Sequence, residues 1–206
     1  MTTLEGGICE TDDFELAEMM RVLSAHGWIR EMKNREPYLQ KYPTVDPRFL
    51  FINLGYNLRA TELQGAIGSV QLPKLNGFVD VRRENTAAWR RDLTRWSEFL
   101  DLQQETPKAR SSCFGFPIMI KKSAPFTVKD LSAFLNKAGV ETRPIICGNI
   151  ALQPAMQLYP HRVIGELQHS THVMRCGMSF GNHQAVDKVA RDYVARQISN
   201  FMAQRG

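Results

Sequence analysis

No segment of the 206-residue chain approaches the roughly 18 consecutive apolar residues that a membrane-spanning helix needs. The densest apolar stretches, residues 49–52 and 116–120, are strand-sized, so a membrane partner is not expected. Cysteine is scarce: Cys9, Cys113, Cys147 and Cys176 form no C-x-x-C pair, and their wide spacing suits neither a zinc knuckle nor a disulfide scaffold. The 14 glycines and 10 prolines are too scattered for a linker-rich or collagen-like chain. Met1 is followed by polar residues and Glu5, which predicts no signal peptide and a cytoplasmic location.

Several catalytic signatures are also missing. Gly65 and Gly68 fit neither G-x-G-x-x-G nor a phosphate-binding P-loop, and there is no G-x-S-x-G nucleophile elbow. His161, His169 and His172 lie close together, but Glu166 is the only carboxylate near them. No metal is expected there.

What is present is globular in texture, with 43% hydrophobic and 23% charged residues and a net charge of +5. Such mild basicity suits an anionic ligand. Residues 78–98 hold Arg82, Arg83, Arg90, Arg91 and Arg95 but also Asp80, Glu84, Asp92 and Glu98. That mixture reads as a solvated helix face, and nucleic acid is not expected.

The pattern predicts a short strand at Gly7, Ile8 and Cys9, then a helix capped by Asp12 with Glu15, carrying Leu16, Met19, Met20 and Leu23 and stopped by Gly27. Residues 28–53, with Pro37, Pro43 and Pro47, read as a long irregular loop. Thr61 and Gln64 form a capping box for a helix with Leu63, Ala66, Ile67 and Val70 on one face. Pro73 opens a second helix through Phe78, Trp89, Leu93 and Trp96.

The texture changes after residue 105, which sets the expected domains at 1–104 and 105–206. In the second, residues 113–121 and 140–146 read as strands, Pro144 making the latter an edge or marking a strand terminus. Thr127 caps a helix between them, residues 177–180 form a third strand, and Asn182 caps the last helix. This order predicts a small α/β sandwich.

Three patches carry chemistry. Glu5, Gly6 and Gly7 put an acid and two glycines at a strand mouth. Tyr56, Asn57 and Arg59 lie immediately ahead of a helix N-terminus, where unpaired N–H groups and positive potential suit a phosphate. Arg143, Asn149 and His183 sit on loops at strand ends. A tight turn, a helix-end salt bridge and ordinary caps would account for the same residues.

Thr3, Leu4, Glu5, Gly6 and Gly7, then Asp12 to Ala17, Ala25, His26 and Gly27, then the run from Gly55 to Gly68, followed by Gln71 to Leu75 and Arg82 to Asn85, resemble in order the DegT/DnrJ/StrS family of pyridoxal-phosphate (PLP) enzymes acting on nucleotide-linked keto-sugars. Thr142 to Ile145, Gly148 with Asn149, and Gly181 to His183 resemble its sugar 3-dehydratase branch. The implied fold is α/β, the C-terminal part of a fold-type I PLP-dependent transferase: the end of the large domain plus a small α/β sandwich domain.

The resemblance implies that Asn57, with Arg59, reaches the PLP phosphate of a neighbouring subunit, and that Glu5, Gly6 and Gly7 shape the cofactor pocket. It implies that Tyr56, Arg143, Asn149 and His183 contact the nucleotide-sugar. In the family the Schiff-base lysine, a histidine in the dehydratase branch, precedes the segment matching Thr2 to Gly7. The expectation is therefore no catalytic residue here, no turnover by this chain alone, and a homodimer or an intact paralogous subunit as partner. A non-catalytic paralogue or fragment kept for dimerisation or ligand binding is the alternative. A sugar-nucleotide binding module without PLP is a third reading.

Overall fold

The computed structural model describes residues 1–205, which fall into two compact units, residues 1–74 and 75–205. This division precedes the texture change near residue 105. The reason is helix α4 (Leu75–Leu93), which buries Trp89 and Leu93 in the core of the second unit.

The first unit is built of helices and turns. Helix α1 (Phe14–Ser24) is capped by Asp13, whose carboxylate accepts the Leu16 N–H at 3.0 Å; the cap is one residue later than expected. Gly7 to Cys9 pair with nothing, so the expected strand there is absent. The irregular stretch contains a 3₁₀ turn (Ile29–Glu31), the six-residue α2 (Glu36–Lys41) and a second 3₁₀ turn (Pro47–Phe49). Helix α3 (Glu62–Gln71) starts at the Thr61–Gln64 capping box, as its spacing predicts. Its apolar face is not covered: Leu63 is 61% and Val70 59% exposed.

Two glycines allow the chain to close on itself in this unit. A Cβ on Gly27, whose φ is +85°, would lie 1.7 Å from the Asn53 carbonyl oxygen, and one on Gly55 would lie 2.3 Å from the Gly27 nitrogen.

The second unit is a four-stranded antiparallel sheet, order β1-β2-β4-β3, formed by β1 (Leu100–Leu102), β2 (Gly115–Ile120), β3 (Thr142–Pro144) and β4 (Gly177–Gly181). Leu100 pairs with Ile120, Phe116 with Phe180, and Thr142 with Phe180. The alternation in β2 turns Phe116, Ile118 and Ile120 into the core, as period-2 patterning requires.

Helices α4, α5 (Val128–Lys137) and α7 (Lys188–Ala203) contribute Trp89, Leu131, Leu135, Ile198 and Phe201 to that core. The Trp89 indole meets the Phe116 and Phe180 rings edge-on at 5.3 and 5.0 Å and donates to the Arg191 carbonyl at 3.1 Å, so its polar atom is satisfied. Helix α6 (Gln168–Cys176) and strand β1 were not anticipated. The edge position expected of the Pro144 strand is observed. Asp187, not Asn182, caps α7, accepting the Ala190 N–H at 2.8 Å.

Candidate functional site

In the first unit, the backbone from Tyr56 to Leu58 is tied to the end of α1. Tyr56 N–H donates to the Leu23 carbonyl at 2.7 Å, His26 N–H to the Tyr56 carbonyl at 2.8 Å, and Leu58 N–H to the Ser24 carbonyl at 2.9 Å. The Tyr56, Asn57 and Arg59 side chains are held outward from this fixed strand-like turn, all exposed. Arg59 Nε donates to Asn57 Oδ1 at 3.2 Å. That bond uses the amide oxygen and leaves Asn57 Nδ2 and the two terminal nitrogens of Arg59 without a protein acceptor among the described residues. One positive charge with several free donors on a rigid base fits a phosphate group.

The N-terminus of α3 is less open than its sequence suggests. Gln64 N–H donates to Thr61 Oγ1 at 3.4 Å, and Thr61 N–H to Gln64 Oε1 at 2.7 Å. The capping box thus occupies donors that an anion would otherwise use. The same Gln64 side chain donates through Nε2 to the Glu5 carbonyl, which seats Glu5, Gly6 and Gly7 against the first turn of α3. Gly6 has φ +127°, a conformation that favours glycine. Glu5, Gly6 and Gly7 are all exposed.

In the second unit the expected residues separate by environment. Arg143 is exposed on β3 and pairs with Glu141 at 2.8 Å. Asn149 is buried and its amide is committed: Nδ2 donates to Thr171 Oγ1 at 3.0 Å and Oδ1 accepts the Ala151 N–H at 3.1 Å. It caps a 3₁₀ turn, and these two bonds use one of its two amide hydrogens and one of its two oxygen lone pairs. His183 is exposed, with Nδ1 accepting the Ala185 N–H at 3.2 Å. Among the described residues no hydrogen bond joins Arg143, Asn149 and His183 to one another.

Buried beside these, Asn182 Nδ2 reaches the Arg82 carbonyl at 2.8 Å, Thr86 Oγ1 at 3.0 Å and the Cys113 carbonyl at 2.9 Å. It ties the end of β4 to α4. No group of three or more metal-ligating side chains occurs among the described residues, and no helix there is long and apolar enough to cross a membrane.

A cavity of about 480 Å³ in the first unit was missed. Trp28, Arg30, Arg35, Leu39, Arg48 and Phe49 line it. Its signal, arginines interleaved with aromatic residues, was present in the stretch read only as an irregular loop.

The chain matches the DegT/DnrJ/EryC1/StrS aminotransferase family over residues 1–199. It is 36% identical over 188 residues to GDP-4-keto-6-deoxy-D-mannose 3-dehydratase of Yersinia pseudotuberculosis, covering 89% of this chain and 47% of the relative. It is 23% identical to GDP-perosamine synthase of Caulobacter vibrioides, covering 98% and 49%. Among solved structures, the E. coli GDP-4-keto-6-deoxy-D-mannose 3-dehydratase with bound hydrated PLP superposes with TM-score 0.75 at 31% identity, covering 91% of this chain and 48% of that one.

The chain therefore spans about half the length of the relatives it matches, with the α/β architecture of fold-type I PLP-dependent transferases. It belongs to the DegT/DnrJ/EryC1/StrS aminotransferase family.

Proposed function

We propose that this chain is the part of a PLP-dependent nucleotide-sugar enzyme that supplies phosphate and sugar contacts, in a reaction of the 3-dehydratase type. The observation that carries this reading is the family match over residues 1–199, with greater identity to 3-dehydratases (36%) than to the perosamine synthase (23%). Amino transfer to a keto-sugar nucleotide is the neighbouring reading.

Bound PLP would supply an electron-accepting ring joined to an aldehyde, which activates bonds beside an amino or keto carbon. Asn57 and Arg59 would hold its phosphate; their free donors and fixed backbone fit that role. Glu5, Gly6 and Gly7, held on α3 by Gln64, would close the same patch without side-chain bulk at the glycines. Tyr56, exposed in the first unit, would face the sugar, and in the second unit Arg143 and His183 are exposed and open to a ligand.

No lysine belongs to the Glu5–Gly7 or Asn57–Arg59 patches, and Lys33 lies in the loop with its backbone N–H on Glu18. A covalent anchor for the cofactor would therefore come from residues other than these. A cytoplasmic homodimer is the setting we assign. A binding or dimerisation role without turnover is the reading favoured if no such residue joins the site.

The experiment is a titration of the purified chain followed by the side-chain amide resonance of Asn57. Pyridoxal phosphate and inorganic phosphate are expected to shift that signal and pyridoxal to leave it in place, with the shift lost in Arg59→Gln. An Asn57 signal indifferent to phosphate would sink the assignment.

A further inference from the structure

Residues 1–10 form no helix or strand, so their course is set by what holds them from outside. Among the described residues one hydrogen bond joins this segment to the rest of the chain: Gln64 Nε2 donates to the Glu5 carbonyl, across a sequence separation of 59. The other bond made by the segment, Leu4 N–H to Thr2 Oγ1 at 3.3 Å, is local.

Two packing contacts follow the same line. A Cβ on Gly6 would lie 3.5 Å from Gln64 Nε2, and one on Gly68 would lie 3.2 Å from the Thr3 methyl carbon. Gln64 and Gly68 share a face of α3 at i, i+4 spacing, so residues 3–6 run along that face.

Gln64 divides its amide between two tasks. Oε1 accepts the Thr61 N–H at 2.7 Å, the reciprocal half of the capping box, while Nε2 holds Glu5. A glutamate would perform the first task equally well, since Glu is an ordinary partner in such a box. The second task needs the N–H donor. The turn bearing Asn57 and Arg59 runs directly into this helix, with Thr61 as its N-cap and Gln64 in its first turn. Phosphate donors and tether thus belong to one continuous stretch, which the Tyr56 and Leu58 N–H groups fasten to the end of α1 at 2.7 and 2.9 Å.

We infer that Gln64 is a positioning residue for the phosphate patch, its Nε2 donor holding Glu5, Gly6 and Gly7 in fixed relation to the Asn57–Arg59 turn. The inference rests on the phosphate reading above and adds to it a residue that touches no ligand itself. Glycine loses more conformational freedom on ordering than any other residue. The Gly6–Gly7 pair therefore gains most from an anchor that orders it beforehand; without that anchor the ordering cost falls on ligand binding.

Titration of the purified chain with inorganic phosphate tests this, read at the Asn57 side-chain amide and at the Gly6 and Gly7 backbone amides. Gln64→Glu keeps the cap and removes the donor, so a role confined to capping would be untouched by it. The variant is expected to leave amide exchange in the first turn of α3 unchanged and to move the Gly6 and Gly7 signals toward those of an unstructured chain. Phosphate is expected to bind it about fivefold more weakly, the scale of one net hydrogen bond. Gln64→Met removes the donor without adding a charge and is expected to weaken phosphate to a similar degree. The relative deficit of Gln64→Glu is expected to persist in about 0.5 M salt, where a bare added charge is screened.

Phosphate affinity unchanged in Gln64→Met, or Gly6 and Gly7 signals unmoved in both variants, overturns the inference and leaves the phosphate assignment standing. A Gln64→Glu deficit that vanishes in salt overturns it too, because charge alone then accounts for the loss. An unaltered chain whose Asn57 signal ignores phosphate is a separate result, which removes the phosphate assignment and the role of Gln64 together.

Discussion

Glu18 on α1 accepts the backbone N–H of Lys33 at 2.7 Å, fifteen residues along the chain. A buried carboxylate on a helix thereby fixes the course of an otherwise irregular segment, with Arg21 Nη1 as a further donor at 2.5 Å. The Asn34 N–H is the main influence holding its pKa below the usual 4.5; burial opposes it, and the Lys33 N–H and Arg21 add to the lowering. A lowered carboxylate contributes stability above its unfolded value, and that contribution is lost as the pH falls through the folded value.

Glu18→Gln is accordingly expected to lower the melting temperature at pH 7 and to flatten the fall of melting temperature between pH 5 and 3, both relative to the unaltered chain. Identical melting profiles for the two proteins would show that the carboxylate does not pin the loop.

In the second unit, Glu105 makes the analogous connection to Arg83, at 2.8 Å, and accepts the Ser111 N–H. Arg83 first, and Ser111 second, bring its pKa down from 4.5 to about 2. Its stabilising contribution is therefore complete above 4.5 and disappears as the pH drops from there toward 2. A carboxyl-carbon titration should place the Glu105 midpoint near the lower value, and Arg83→Gln should move it back toward the ordinary range. A midpoint near 4.5 in the unaltered chain would contradict the pairing.

Asn182→Ala removes the amide that serves the Arg82 and Cys113 carbonyls and Thr86. Leaving such groups buried without partners costs about 2–3 kcal/mol. Chemical denaturation followed by tryptophan fluorescence measures this directly, since Trp89 reports on the same core. A loss below about 0.5 kcal/mol, the scale of ordinary surface substitutions, would mean that water or a local shift replaces the amide.

Thr61→Ala breaks the α3 capping box and is expected to cost about 1 kcal/mol. Because α3 is half-exposed, the change should appear as faster amide exchange in its first turn, and the Gln64 contact to Glu5 should loosen with it. Unchanged exchange at Gln64 would indicate that tertiary contacts alone hold the helix.

The sequence was most informative where local chemistry is self-contained. The capping box of Thr61 with Gln64 and the cap at Thr127 are read from local sequence, and both are present. Helical period alone places Ile198 and Phe201 of α7 in the core, although Val189 on the same expected stripe is 77% exposed. What escaped depends on distant partners. Strand β1 has three residues and exists because Leu100 and Leu102 meet Ile120 and Ile118. Asn182 looked like a cap because it precedes a helix, yet its partners lie about a hundred residues away on α4.

The candidate site shows the same division. Asn57 and Arg59 are two apart in sequence and are brought together by a hydrogen bond. Asn149 has an equally suggestive position, but its amide is used by Thr171 and Ala151, which spacing does not reveal. The Trp28 cavity needed the fold itself, since Trp28 and Phe49 stack only because the chain doubles back at Gly27 and Gly55.

Both outer strands of the sheet, β1 and β3, are only three residues long, and β3 ends in a proline that lacks an N–H. A second molecule seeking to extend the sheet would find too short a row of free backbone groups at either end for a stable ladder. Fibre growth by edge addition is therefore discouraged in a protein that presents Leu54, Leu63 and Leu72 to solvent elsewhere.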